Sequence, residues 1–224
     1  MNSAVASLLP LIIGAAVVPV WIIMVLFLLR SEGGLLKAAA FAAGGIAVRL
    51  MQGILFGYIF RSSAESSGEA GANLIVSTLL LVIGILMLIT AFKQWRKEDD
   101  LDGPPPKWMA SISGLSTAKA LGMGALLVAI AAKQWVFTLS AIGVIGQAQM
   151  SQAENIVAFL FYVLAAQSLV LTPIIVYAVA PTQSAKALAA AQDWLAQHNR
   201  QIVITVSLIF GLLFLFKGIT GLTG

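Results

Sequence analysis

Residues 73–92 read NLIVSTLLLVIGILMLITAF, twenty consecutive positions without a charge, closed by Lys93, Trp95 and Arg96. A helix rises about 1.5 Å per residue, so roughly 20 apolar residues reach across the ~30 Å hydrocarbon core of a bilayer. Comparable apolar runs lie on either side of it, at 5–29, 35–60, 115–142, 155–180 and 201–221. The pattern predicts an all-α, polytopic membrane protein with six transmembrane helices. Residues 30–34 and 61–69 supply polar connections, and a central polar segment contains Pro104, Pro105 and Pro106. That proline run divides the chain into a first three-helix unit at 1–98, a linker at 99–114 and a second three-helix unit at 115–224. Units of three spans enter the membrane from opposite sides, which suggests two inverted repeats.

Composition excludes much else. Of 224 residues, 60% are hydrophobic and only 10% charged, where a soluble domain carries roughly 25% charged residues. The net charge of +4 is small and dispersed, so no nucleic-acid partner is expected. With no cysteine and a single histidine, His198, the chain lacks the residues for disulfides, a thiol relay or a histidine-rich metal site. No phosphate-cradling glycine loop and no Ser-His-Asp set occurs, and the reading is of a non-enzyme without metal or other cofactor. The run at 5–29 lacks a basic flank before Arg30 and exceeds a typical signal-peptide core, so it reads as a retained helix.

Orientation follows from lysine and arginine. The connections after spans one, three and five hold Arg30, Lys37, Lys93, Arg96, Lys97, Lys107, Lys119, Lys186 and Arg200. The opposite side holds Arg61, with Lys217 as a snorkelling helix end. The positive-inside rule puts the first set in the cytoplasm and both termini outside, in a bacterial-type plasma (inner) membrane. An amphipathic juxtamembrane helix is expected at 182–198, with Trp194, Trp95 and Trp108 as interfacial anchors. Gly53 and Gly57 have small-xxx-small spacing, which permits close helix approach inside the bundle or in a homodimer.

Two cations lie at bilayer depth, Arg49 in GGIAVRLMQ (44–52) and Lys133 in AIAAKQW (129–135), and no Asp or Glu occurs inside any span. A desolvated, unpaired cation costs several kcal/mol, so something must compensate it. Candidates are the amides of Gln52, Gln134 and Gln167, freed backbone carbonyls, water, or an anionic ligand. The bland alternative is that Lys133 snorkels and Arg49 caps carbonyls between helices. The missing carboxylates also argue against divalent-cation carriers and proton relays. Pro19 and Pro173 are candidate helix breaks lining the site, and Pro10 is a further proline in span one. Pro19 frees the carbonyl near Ala15, and the Lys133 ammonium is the donor expected to meet it.

Pro106-Lys107-Trp108-Met109, Leu115-Ser116, Ala120-Leu121-Gly122 and Gly124-Ala125-Leu126-Leu127 resemble the entry to span four of the GAP family. That family is also called the sulfolipid-addressing protein family and is grouped with the lysine-exporter (LysE) superfamily. Pro173 with Tyr177, then Leu188, Asp193-Trp194-Leu195 and His198-Asn199, resemble its fifth span and juxtamembrane helix; Pro10, Gly14 and Ala16 to Pro19 extend the likeness to the first half. The resemblance implies six helices in two inverted repeats, and export or surface placement of glycolipids and related envelope compounds. Where the family commonly has Asn-Pro-Lys, this chain has Ala131-Ala132-Lys133: the lysine is kept and the helix-breaking proline is absent. The expected function is transport of an anionic amphiphile or small anionic solute. The alternatives are a small-solute or amino-acid exporter and a non-transporting scaffold subunit of a lipid-export machine.

Overall fold

The computed structural model describes residues 2–96 and 114–223, with the side chains of 2–5, 59–70 and 72 excepted. The linker with its three prolines, Trp108 and the acids at 98–102 lies outside the described residues. Within them the order is α1 (Asn2–Ala16), α2 (Pro19–Leu29), α3 (Gly34–Arg96), α4 (Thr117–Ile130), α5 (Ala132–Gln147), α6 (Gln152–Ala166), α7 (Ser168–Val179) and α8 (Pro181–Thr223).

Three segments are long and apolar enough to cross a membrane alone: 34–58 and 73–96 within α3, and α8. The remaining helices form pairs that meet the same criterion only together. The pairs α1–α2, α4–α5 and α6–α7 bend by 60°, 74° and 69°. The described residues thus hold three candidate membrane spans, or up to six when each bent pair counts as one.

The polar stretch at 61–69, expected as a connection, keeps helical backbone. No proline occurs between Gly34 and Arg96, and Ala64, Glu65, Glu69 and Ala70 are strong helix formers. Even so, α3 is not a straight rod. A straight helix would hold Arg49 and Gly84 about 52 Å apart. Instead a short relay joins them: Arg49 bonds Thr138, the Phe137 and Phe214 rings lie 5.8 Å apart, and Leu215 packs on Gly84. The two halves of α3 are therefore bent toward one another rather than collinear. The juxtamembrane helix and the last apolar run are likewise one element, α8. Leu188 in its first part packs against the core around Trp21, Val25 and Leu28. Where its second part begins, Arg200 donates through Nε to the Gln94 carbonyl (3.0 Å) and through Nη2 to that of Trp95 (2.8 Å). A guanidinium there satisfies the last carbonyls of α3 and complements the helix dipole.

Polarity is arranged inside out. Ile54 and Val179 are 79% and 80% exposed, whereas Arg49 and Thr138 are fully buried. An apolar exterior with the charged side chain held inside is the arrangement a bilayer selects, because lipid rewards apolar surface and penalises bare charge. Two apolar clusters fill the interior, one around Leu8, Met87, Phe137, Tyr162 and Phe214, the other around Trp21, Phe41, Val128 and Ile174. Arg49 lies between them in the chain: Val48 belongs to the second cluster, while Ile46 and Leu50 pack on the first.

Candidate functional site: helix breaks around a buried arginine

The first break is made by Pro19. It has no N–H to give, and the residue before it, Val18, is extended (φ −128°, ψ 87°). The carbonyl that would have accepted from position 19 is that of Ala15, as the sequence predicts. Its donor is the Gln134 amide, with Nε2 at 3.2 Å. The Lys133 ammonium instead lies 5.8 Å from the centre of the Phe137 ring, a cation–π contact. A neutral amide bonds a carbonyl while its own oxygen stays available, which a donor-only ammonium cannot do. Gln134 uses that second capacity for Arg49.

The second break, at Ala131, needs no proline. Ala131 has φ −80° and ψ 95°, ending α4 and starting α5 in one residue. The Trp135 indole turns back and donates to the Ala129 carbonyl at 2.6 Å. This supplies a partner for a carbonyl at the end of α4 that would otherwise lack one. The run 115–142, read from the sequence as one helix, is thus two.

The third break corrects a sequence expectation. It falls at Gln167 (φ −98°, ψ 0°), not at Pro173, which is buried inside α7 six residues further on. Gln167 is 3% exposed and its Oε1 has no hydrogen-bond partner. Its Nε2 lies where a side chain at Gly45 would be, 2.7 Å from an idealised Cβ there. Glycine at 45 is what lets this amide lie against α3, one turn before Arg49.

Arg49 is the point on which these elements converge. Its Nη2 donates to Gln134 Oε1 at 2.6 Å, and Nη1 reaches Thr138 Oγ1 at 3.4 Å and Tyr162 Oη at 3.5 Å. Good N–H···O bonds fall at about 2.7–3.2 Å, so one of the three is strong and two are weak. Nε has no partner. All three acceptors are neutral, and no described acid pairs with the guanidinium. One turn on, Gln52 is 1% exposed with both amide atoms unpartnered. A buried polar group left unmatched costs about 1–3 kcal/mol, so the cluster is under-satisfied as a static core.

Of the residues singled out from the sequence, Gln134 touches Arg49 directly. Gln52 lies one turn away on α3, Gln167 reaches α3 at Gly45, Lys133 adjoins Gln134, and Pro19 creates the carbonyl Gln134 caps. Pro173 takes no part in a break. Thr138 and Tyr162 were missed, though signals existed. Thr138 is four residues after Gln134 on the same helix face and bonds its carbonyl at 3.0 Å. Tyr162 places a hydroxyl in the apolar run 155–180, where such a group needs a partner.

The profile of one protein family, described as Sap, sulfolipid-1-addressing protein, matches residues 8–220. The chain belongs to that family. No curated protein and no solved structure matches it. For a sulfolipid-1-addressing family member, the match spans all three breaks and Arg49, so the site lies within the shared region rather than in an appendage.

Proposed function

We propose that this protein moves an anionic amphiphile, a glycolipid-like envelope compound, or a small anionic solute across a bacterial-type plasma membrane, with Arg49 holding the anionic group. The observation that carries the reading is a fully buried guanidinium with one short hydrogen bond and no counter-charge among the described residues. A sulfate, phosphate or carboxylate would supply the charge and the paired acceptors that a guanidinium fork fits. Gln134 would release Nη2 to the anion while still capping Ala15. Family membership supports the lipid end of this range, since its name refers to placing a sulfolipid.

In this reading the three bent pairs are spans one, four and five of six, in two inverted repeats, as in the LysE superfamily. Breaks in spans one and four fall at corresponding places in the two units, which is where inverted-repeat transporters put their sites. Both termini lie outside, following the lysine and arginine bias. A second reading, a non-transporting scaffold in a lipid-export machine, is favoured by one observation: the one short hydrogen bond of the buried Arg49 goes to Gln134, a partner inside the bundle.

Arg49→Leu separates them. Transport of a fluorescent sulfated glycolipid into proteoliposomes should fall at least about tenfold. The melting temperature should hold or rise, because replacing a costly buried charge with an apolar side chain is often neutral or stabilising by about 1–4 kcal/mol. Normal transport by the variant removes Arg49 from the path. No transport by the unaltered protein under the same conditions favours the scaffold.

A further inference from the structure

A cavity of about 590 Å³ is bounded by residues near both ends of the chain (Ser7 and Gly221), the start of the second half of α3 (Asn73) and the end of α5 (Gln147). Its volume falls in the range of small-molecule sites. Asn73, Ser77, Gln147 and Lys217 give it polar walls, and among the described residues no carboxylate lines it. Lys217 is exposed, and the sequence alone makes it a snorkelling helix end. Here it is the cation of a cavity whose other described lining residues are neutral. Leu11, Leu80 and Phe214 line the same space, so a ligand would meet both a charge and an apolar wall.

The apolar side leads toward the buried arginine. Phe214 is 1% exposed and packs edge-on against Phe137, with centroids 5.8 Å apart. Phe137 carries the Lys133 ammonium over its ring and neighbours Thr138, which bonds Arg49. Two aromatic rings therefore separate the cavity from the arginine cluster. Gly14 lets Phe137 sit this deep, its ring carbon 2.5 Å from where a side-chain carbon would be.

We infer that this cavity binds the anionic head of an organic anion through Lys217, with Asn73 and Ser77 as neutral donors and the apolar part along Leu11 and Leu80. This rests on the transport reading and deepens it: the cavity is a vestibule, and the Phe137–Phe214 pair is its closed floor. The head chemistry, a sulfate, phosphate or carboxylate, is shared by lipids and free solutes, and the test distinguishes the two.

Full-length protein in nanodiscs is exposed to a sulfated galactolipid bearing a photoactivatable acyl chain, and the labelled peptides are mapped. Label is expected on the segments containing Leu11 and Leu80. Lys217→Gln, a change at an exposed side chain, should lower it about fivefold to tenfold, and Lys217→Arg should restore it. Failure of millimolar inorganic sulfate to compete assigns the site to amphiphiles, and full competition assigns it to free anions. Label undiminished in Lys217→Gln, or confined to other segments, overturns the inference. Lys119→Gln, at an exposed lysine outside the cavity lining, should leave labelling unchanged. Labelling reads Lys217 and the transport assay reads Arg49, so failure of one reading is distinguishable from failure of the other.

Discussion

Around Gly84 two unbroken helices touch backbone to backbone, while around Ala131 broken helices touch through amides and an indole. At the first place a side-chain carbon added to Gly84 would lie 2.6 Å from the Leu215 nitrogen, and one added to Gly218 would lie 2.6 Å from that of Leu81. The helices satisfy their own hydrogen bonds, so small residues and dispersion are enough to join them. At the second place the backbone has surrendered hydrogen bonds, and Gln134, Trp135 and Arg49 must replace them. The difference separates two kinds of membrane packing. A dry seam is stable because nothing polar is left over, and a broken one keeps groups that a ligand can use.

The largest expected effect breaks a dry seam. Gly44 and Gly124 bring α3 and α4 into backbone contact, Gly44 against the Leu121 carbonyl and Gly124 against that of Phe41. Gly44→Val should cost about 3 kcal/mol or fail to fold, because rigid backbone rather than a flexible side chain would have to move. Thermal unfolding in detergent reads this. A variant that melts normally would show that the seam yields and that the contrast with the broken helices is overstated.

Gln134→Leu probes the other kind. It leaves both the Ala15 carbonyl and Arg49 Nη2 without their best partners, for an expected loss of about 2–3 kcal/mol. In an Arg49→Leu background the penalty should shrink, since only the Ala15 carbonyl is then orphaned. Equal penalties in both backgrounds would mean that Gln134 and Arg49 are not coupled.

The smallest effect is also the sharpest. Ala132 is the first residue of α5, and extended Ala131 before it suits a proline. The first helical position is where proline is best tolerated, its missing N–H being an orphan there in any case. Ala132→Pro should be neutral or stabilising by about 0.4–1 kcal/mol, with transport intact. Marked destabilisation would show that the bend at Ala131 does not leave room for the ring.

Much of this was legible from residues alone. Long apolar runs with few charges specify apolar helices whatever their neighbours, because a bilayer acts on each segment by its length and hydropathy. Arg49 stood out for the same reason, as a charge without a carboxylate at depth. Pro19 announced its break locally, since the missing N–H and the extended residue before it need no tertiary context. The other breaks were not announced. Ala131 bends without proline because Trp135 and Gln134 meet distant or reversed carbonyls, and Gln167 bends while Pro173 stays helical. Whether Gln134 or Lys133 would cap Ala15 depended on which side chain faced α1 once α5 had turned by 74°. Lys217 reads as a helix end in the chain and becomes a cavity cation only when both chain ends and Asn73 gather around it. Hydropathy is a property of a segment and is written in order along the chain. Which polar groups meet depends on bends and crossings between segments far apart in sequence, and only the tertiary structure decides those.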